Sequence, residues 1–208
     1  MMPELYTTIE KEGVAEFEEK KSVFIGHAMP VKTEEEAAAF IKELKNKYRD
    51  ATHNVYAYVL GDGTLQRYSD DGEPQGTAGM PVLDVIRKKS CSDTAIVVTR
   101  YFGGTLLGAG GLVRAYSHAA KLALDAAHVI TYEKYDVLEL VCDYSDYGKY
   151  LAETEKFGLI NDGVDFAENV KMALAVKSSR LPEFEKLIID ISNGKTAPVK
   201  KGERFDFR

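Results

Sequence analysis

The sequence predicts an α+β protein of two domains, and three features of the chain lead to this prediction. Strand-like and helix-like segments are mixed along the first half, as in an α+β fold. The second half has the order β-α-β-β-α-β and follows "AAHVITYEKY" with almost no linker. A length of 208 residues suits one large domain or two small ones. We therefore divide the chain into domains over residues 1–130 and 131–208.

Apolar spacing and capping residues predict the elements of the first half. A strand over Ser22–Val31 is followed by Thr33, with Glu36 three residues later, which is the capping-box pattern. Apolar residues at helical spacing then predict a helix over residues 34–48. A hairpin that turns at Gly61-Asp62-Gly63, a short helix and a buried central strand follow: Asn54–Leu60 with Thr64–Asp70, Ala78–Lys89, and Thr94–Thr99. A long helix ends near Ala127 and faces the core with Leu112, Ala115, Ala119, Leu122 and Ala126.

The second half predicts two helices and four strands. "YDVLELVCDY" leads to a helix over residues 145–157, and "GLINDGVDF" and "ENVKMALAVK" give two further strands. We place a turn at Asp162-Gly163 in the first of these. Ser179 and Pro182 begin a second helix, Asn193-Gly194 ends it, and "TAPVKKGERFDF" supplies the last strand. This order predicts a ferredoxin-like βαββαβ domain.

Composition limits the class of protein and of partner. No apolar run approaches the roughly 18 residues that span a bilayer, and the N-terminus lacks the pattern of a secretory signal. Cys91 and Cys142 fit no metal-ligand or disulfide pattern, which favours a reducing cytoplasm. The net charge of −6 comes from 15 basic against 18 acidic residues up to residue 130 and 12 against 15 beyond it. A nucleic-acid partner would therefore need a local basic patch.

An acidic segment, "YSDDGEPQGTAGMPVL", lies between a predicted strand and a helix. Its Asp70, Asp71 and Glu73 could hold a hard cation such as Mg²⁺ or act as a general acid and base. They could instead form a turn in which the carboxylates accept from backbone amides and pair with arginines. The spacing fits no EF-hand or other known metal loop. We therefore predict no metal site here.

A glycine-rich loop, "TRYFGGTLLGAGGLVRAY", joins an apolar strand to a long helix. It lacks the Lys-Ser or Lys-Thr of the GxxxxGK[ST] phosphate loop and the third glycine of GxGxxG. Gly108, Gly110 and Gly111 fall at the helix N-terminus, where free amides favour an anion, and Arg100 and Arg114 add positive charge. Alternatively, the glycines only allow left-handed backbone and close packing. We predict an anion site.

Tyrosines and arginines recur on the predicted strands. Tyr56 and Tyr58 share one face of their strand, Arg67 lies on the hairpin partner, and Arg100 and Tyr101 end another strand. Such a surface could stack unpaired bases, or it could be buried against helices or the second domain. No nucleophile motif such as G-x-S-x-G accompanies these residues. We therefore expect a binding protein rather than an enzyme.

Four segments of the chain, in this order, closely resemble the IMPACT family and its bacterial YigZ/YvyE-type members: Lys21–Gly26, His53–Val59, Ser69–Leu83 and Val97–Tyr116. The match covers most of residues 15–130. The resemblance implies that the first domain has the fold shared by a small-subunit ribosomal protein domain and domain IV of elongation factor G. It also implies a second domain similar to the last domain of elongation factor G.

The resemblance further implies a surface groove for nucleic acid that is tied to ribosomes. Eukaryotic members restrain a stress kinase that arrests translation, but they act through an additional RWD domain, so that interaction is not carried over. At the matching positions of this chain the groove comprises Arg67, Arg100, Tyr101, Gly103, Gly104, Gly108, Gly110, Gly111 and Arg114. Its supporting residues are His53, Tyr56, Tyr58, Asp70, Asp71, Glu73 and Thr77.

We therefore predict a cytoplasmic binding protein that engages RNA or the translation machinery in translation regulation. In this hypothesis the loop amides hold a phosphate, the arginines and tyrosines surround it, and the carboxylates orient the arginines. Two alternatives stay open: a Mg²⁺-dependent enzyme that acts on a phosphorylated small molecule, and a protein–protein adaptor. We predict no cofactor, no metal and no membrane partner.

Overall fold

The computed structural model describes residues 5–61 and 63–207, and the chain divides into two compact units, Met1–Thr131 and Tyr132–Arg208. The predicted α+β class is confirmed, because the described residues form two five-stranded sheets with helices. The strands are β1 (Leu5–Ile9), β2 (Gly13–Glu19), β3 (Ser22–Pro30), β4 (His53–Leu60), β5 (Leu65–Ser69), β6 (Thr94–Tyr101), β7 (Val129–Cys142), β8 (Ile160–Phe166), β9 (Val170–Lys177) and β10 (Val199–Asp206). The helices are α1 (Glu34–Lys47), α2 (Gly79–Lys88), α3 (Ala109–Ala127), α4 (Tyr144–Phe157) and α5 (Leu181–Ser192).

The sheet of the first unit is antiparallel, with the strand order β2-β3-β6-β4-β5. The apolar run Thr94–Thr99 lies in the middle of this sheet and is buried, as predicted. The predicted hairpin of β4 and β5 is confirmed, although its turn residue Asp62 lies outside the described residues. Strands β1 and β2 were not predicted from the sequence. Strand β2 carries three glutamates at a sheet edge, where charge discourages pairing with another chain but also hides the strand pattern.

Helices cover both faces of this sheet. Helices α2 and α3 pack on the face that carries Phe24, Val55 and Val98. Helix α1 packs on the opposite face, which carries Tyr58 and Val97. Because both faces are covered, β6 is apolar along most of its length instead of alternating between apolar and polar residues.

Helix α1 begins with the predicted capping box. Thr33 Oγ1 accepts a hydrogen bond from the backbone N–H of Glu36 at 3.2 Å. The Glu36 carboxylate in turn accepts from the backbone N–H of Lys32 at 2.6 Å. The reciprocal bond reaches one residue further back than the motif specifies, and it still fixes the chain entering the helix.

The buried stripe of helix α3 differs from the predicted one. Leu122 and Ala126 are only half-buried, so their predicted core positions are wrong. The fully buried residues instead include Tyr116, Ala120 and Ala123. Helix α3 packs on α2 as well as on the sheet, and this second contact shifts the apolar stripe around the helix.

The second unit has the predicted β-α-β-β-α-β order, and its strands lie in the antiparallel order β10-β7-β9-β8. The core contains Leu138 and Met172 of the sheet with Tyr150, Phe184 and Ile188 of the two helices. Within the described residues, no helix of either unit is long and apolar enough to cross a membrane.

Two local predictions in the second unit need correction. Asp162-Gly163 is not a turn, because it lies within β8, where the register shifts between Asn161 and Gly163. The Gly163 N–H donates to Asn161 Oδ1 at 3.0 Å, which stabilises this bulge. Helix α5 follows a 3-10 turn over Ser178–Arg180 rather than beginning at Ser179. Its predicted end is confirmed, since Asn193 adopts the left-handed conformation.

His27 is a buried titratable group on β3. Its side chain is 2% exposed, and Nε2 lies 3.1 Å from the Tyr48 hydroxyl. Burial, with a smaller effect from the charge of Lys47, lowers the pKa of His27 from 6.5 to about 4. The nearest carboxylate, Glu12, is 51% exposed and 4.0 Å away, so it does not offset the burial. The folded protein therefore keeps His27 neutral at pH values where the unfolded chain binds a proton.

We expect the free energy of unfolding to decrease by about 3 kcal/mol as the pH falls from 6.5 to about 4. The reason is that the unfolded chain binds one more proton than the folded protein in this range. Urea unfolding at several pH values measures the effect. The His27→Gln variant removes the titrating group, so its pH dependence should be flatter. An equally steep decrease in His27→Gln would assign the effect to other groups.

Candidate functional site

Most residues of the predicted groove gather around one end of the first unit's sheet, where β6 ends and β4 begins. Arg100 and His53 lie opposite each other across these two strands. The segment between β5 and α2 (residues 70–78) and the loop between β6 and α3 (residues 102–108) complete this end of the sheet. We call these strand ends and the two segments the motif end.

Arg100 and Glu73 form a buried ion pair at the motif end. Arg100 is 5% exposed and Glu73 is 8% exposed, and Arg100 Nη1 donates to Glu73 Oε1 at 2.6 Å. The same carboxylate oxygen accepts from the Tyr116 hydroxyl at 2.7 Å, while Arg100 Nη2 donates to Ser22 Oγ at 3.3 Å. Burial beside Glu73 raises the pKa of Tyr116, so the phenol remains a donor. Arg100 therefore joins four separate elements and does not face solvent.

His53 and Asp71 connect β4 to the acidic segment. His53 Nδ1 lies 2.8 Å from the Asp71 carbonyl oxygen, which can only accept, so Nδ1 carries the hydrogen. His53 Nε2 lies 3.7 Å from the Glu73 carboxylate. The Asp71 carboxylate accepts from the Asn54 N–H and from Lys45 Nζ, both at 2.6 Å. These contacts hold the acidic segment against the sheet.

Asp70 and Thr77 shape the start of helix α2. The Asp70 carboxylate accepts from the backbone N–H groups of Gly76, Ala78 and Gly79 at 2.8–3.1 Å. Thr77 Oγ1 donates to the Pro74 carbonyl at 2.6 Å. Asp70 thus satisfies amides that the helix start leaves free. Among the described residues, no group of three or more His, Cys, Asp or Glu side chains is arranged to hold a metal ion.

The predicted tyrosine surface lies on the other face of the sheet, under helix α1. Tyr58 is 8% exposed, and its hydroxyl donates to the Glu34 carboxylate at 3.0 Å. Burial, together with this bond, raises the pKa of Tyr58 to about 12. The strand register places Tyr56, Arg67 and Tyr101 on the same face as Tyr58. The structure therefore separates these four residues from Arg100 and His53, which lie on the face covered by α2 and α3.

The loop after β6 packs on the turn between β2 and β3. The Gly103 N–H donates to Ser22 Oγ at 3.1 Å. A Cβ atom at Gly103 would lie 2.0 Å from the carbonyl carbon and oxygen of Lys21, so only glycine fits there. Phe102 and Phe24 have ring centroids 5.4 Å from the Arg100 guanidinium, a distance at which a cation attracts an aromatic ring. Gly104 is left-handed, with φ of 81°.

Helix α3 begins beside this loop with an uncapped N-terminus. Gly108 is the N-cap, with φ of 73°, and no side chain accepts from the first amides. Gly110 is exposed, and the Leu107 side chain packs close to Gly111. Within the described residues, the N–H groups of Ala109, Gly110 and Gly111 make no hydrogen bond.

A cleft of about 320 Å³ lies beside the start of α3. Residues of β2, the β2–β3 turn, the loop after β6 and α3 line it: Phe17, Glu19, Lys20, Leu107, Gly111, Arg114, Ala115 and His118. Lys20, Lys21 and Arg114 are exposed, and their side chains make no ion pair or hydrogen bond within residues 5–61 and 63–207. We call this cavity, which Lys20 and Arg114 line, together with Lys21 beside Lys20 in the turn, the α3 cleft. It combines positive charge with an apolar wall.

Three residues of the α3 cleft, Phe17, Lys20 and His118, were not among the predicted site residues. Lys20 and Lys21 form a two-residue hairpin turn with positive φ values of 49° and 66°, a role usually taken by Asn-Gly. Without that turn signal, the strands on either side were not recognised as a hairpin. His118 follows Arg114 by four residues, a spacing that places both side chains on one face of a helix. That spacing could have indicated that His118 lies beside Arg114 in the site.

Comparison with protein families identifies both parts of the chain. Residues 20–124, which include the motif end and most of the α3 cleft, match the Impact N-terminal domain. The chain belongs to the IMPACT family. Residues 140–195 of this IMPACT protein match a second domain, a domain of unknown function called DUF1949.

Relatives match the chain along nearly its whole length. The IMPACT family member YvyE of Bacillus subtilis is 38% identical over 95% of this chain and 91% of its own. The IMPACT family member YigZ of Escherichia coli is 34% identical over 84% of this chain and 87% of its own. A crystal structure described as a hypothetical protein is 29% identical, with a TM-score of 0.60, and covers 97% of this chain and 99% of its own.

Replacing Arg100 by methionine should lower the free energy of unfolding by about 3–5 kcal/mol, because Glu73 would remain buried without its cation. Urea unfolding measures the loss. The matched control is Arg114→Met, which removes an exposed arginine that pairs with none of the described residues and should change stability by no more than about 0.5 kcal/mol. Similar losses in the two variants would contradict the structural role of the Arg100–Glu73 pair.

Proposed function

We propose that this IMPACT protein is a cytoplasmic RNA-binding protein that engages the translation machinery through the α3 cleft. The proposal rests on one observation: Lys20 and Arg114 line a cavity at the uncapped start of α3 and, like the adjacent Lys21, have no side-chain partner within the described residues. A helix start offers amide donors and partial positive charge to an anion. Arginine offers a fork of donors that fits a phosphate. Several phosphates of one RNA backbone could therefore be bound at the same time.

Because the protein is acidic overall, RNA binding would depend on the local cations of the α3 cleft. The chain carries a net charge of −6, so its mean field repels a polyanion. Binding would have to depend on the unpaired cations of the α3 cleft, and Glu19 in its lining would weaken it. We therefore expect an affinity that falls steeply with salt.

The other motif residues have different roles in this proposal. Arg100 and Glu73 hold the loop, the hairpin and α3 together, while Asp70, Asp71, His53 and Thr77 fix the acidic segment. Gly108, Gly110 and Gly111 bring the backbone at the start of α3 to the phosphate, whereas Gly103 and Gly104 shape the loop that leads to it. Arg67 and Tyr101 would serve only as outer contacts, because they lie on the sheet face under α1.

We also propose the finer fold assignments for the two domains, residues 1–130 and 131–208. The βαββαβ order of the second unit, with its fourth strand beside its first and its third beside its second, supports a ferredoxin-like domain. We propose that the first domain shares the fold of a ribosomal protein domain and of elongation factor G domain IV. Elongation factor G, which binds the ribosome, contains domains of both folds, and this likeness supports a role in translation.

A protein partner is the second candidate, and an exposed apolar group favours it. Leu106 is 83% exposed, Phe102 46% and Val113 38%, and all three lie at or near the loop after β6. Apolar side chains exposed together in this way are typical of protein contacts. The Mg²⁺-dependent enzyme has no comparable support, because Asp70, Asp71 and Glu73 already accept from amides, Lys45 and Arg100.

Titration of a labelled single-stranded RNA, followed by fluorescence anisotropy at several salt concentrations, tests the proposal. We expect Arg114→Ala to weaken binding and to reduce the slope of log affinity against log salt by about one, because one phosphate contact is lost. The control is Lys88→Ala. Lys88 is exposed and adjoins Lys89, which approaches Asp125 at the other end of α3. Salt-independent binding, or equal affinities for Arg114→Ala and Lys88→Ala, would refute the proposal.

The Gly110→Ala variant tests whether Gly110 is required for RNA affinity and not for stability. A Cβ atom at Gly110 would approach only the Arg114 guanidinium, at 3.7 Å, so the fold tolerates alanine. Alanine favours the helix by up to about 1 kcal/mol, so thermal unfolding should show an equal or higher Tm. RNA affinity should nevertheless fall, because the methyl group crowds the amides of the first turn.

The matched control for Gly110→Ala is Gly148→Ala. Gly148 lies in α4, and a Cβ atom there would meet nothing within 4 Å. This control should raise the Tm without changing RNA affinity. If Gly110→Ala bound RNA as tightly as the wild type, the amides of α3 would have no part in binding.

A further inference from the structure

We infer that the α3 cleft binds a single unpaired nucleotide, with its base on the His118 ring and its phosphate on Arg114 and Lys20. This inference rests on the proposed function and specifies it further. The cleft is a cavity of about 320 Å³, near the lower end of the roughly 300–1,000 Å³ of small-molecule sites. A flat surface would suffice for phosphates alone, so the cavity points to a group that enters it.

The walls of the cleft differ in chemistry, and this difference points to a nucleotide. Lys20 and Arg114 supply positive charge, and Leu107, Ala115 and Phe17 supply an apolar wall. A nucleotide presents the same two features, a charged phosphate and a flat base. In a duplex the bases are stacked inside, whereas in single strands they can turn outwards and stack on aromatic or histidine rings.

His118 is held in an orientation suited to stacking. Its ring meets the Phe17 ring edge-on, with centroids 4.7 Å apart and an angle of 79°. Phe17 is itself stacked on Phe24 at 5.2 Å and 14°, so it is fixed to the core and is not free to stack on a base. His118 remains exposed. The imidazole is therefore a preoriented surface on the solvent side of this aromatic group.

The position of His118 relative to Arg114 supports simultaneous contact with base and phosphate. The two residues are one helical turn apart on α3, which separates their backbone positions by about 6 Å. Lys20 reaches the same cleft from the β2–β3 turn. A phosphate between Arg114 and Lys20 would thus leave its own base, or the next one, beside His118.

The test compares two labelled RNAs at one salt concentration, a single strand and the blunt duplex of the same sequence. We expect the wild type to prefer the single strand. His118→Ala should lower single-strand affinity by about tenfold and leave duplex affinity unchanged, because one stacked base is lost. His118→Tyr retains a flat ring and should still bind the single strand more tightly than the duplex. Arg114→Ala should lower the affinity for both RNAs.

The outcomes distinguish this inference from the function on which it rests. Equal wild-type affinity for the two RNAs, or an equal loss of both in His118→Ala, would overturn the nucleotide site and leave RNA binding in place. If the protein bound neither RNA, both the nucleotide site and the proposed RNA-binding function would be overturned.

A second measurement observes the His118 ring directly in the wild type. In the wild type, proton NMR signals of the His118 ring should shift upfield when the single strand is added, because a stacked base shields them. Comparison with His118→Tyr assigns those signals among the four histidines. Unchanged His118 signals under saturating single-stranded RNA would also overturn the inference.

Discussion

The buried Arg100–Glu73 ion pair is the contact on which the motif end depends. It joins the end of β6 to the acidic segment, and the hydrogen bonds to Tyr116 and Ser22 extend it to α3 and β3. Two charges removed from water must satisfy each other, so neither residue tolerates loss of its partner. The pair therefore determines where the glycine loop, the β2–β3 turn and the start of α3 lie relative to one another.

This internal pairing also explains why the α3 cleft is positive in an acidic protein. The carboxylates of the acidic segment are engaged by α2 amides, Lys45 and Arg100. Those contacts leave Lys20, Lys21 and Arg114 without acidic partners in the described part of the chain. Of the two arginines in this motif, Arg100 is buried and neutralised by Glu73, whereas Arg114 is exposed and available to a ligand. Burial, rather than residue type, makes the difference.

Local sequence patterns predicted most of the fold, but not the contacts that build the site. Helix α1, with its capping box, and strand β6 follow from neighbouring residues, so spacing along the chain is sufficient for them. The partner of Arg100 is 27 residues away, and no local pattern shows that Glu73 will be buried against it. Likewise, Lys20 and His118 line the same cavity only because β2 and α3 pack together. Tertiary packing, which spacing does not encode, decides such pairs.

The glycines of the motif show how folding and function can be separated in one segment. Gly103 lies against the Lys21 backbone, and no larger residue fits there, so folding alone accounts for it. Gly110 has open space around it, and a helix would be more stable with alanine at that position. The fold therefore explains the first glycine and not the second. Under the proposed function, glycine at this position lets a phosphate approach the free amides of the first turn of α3 closely.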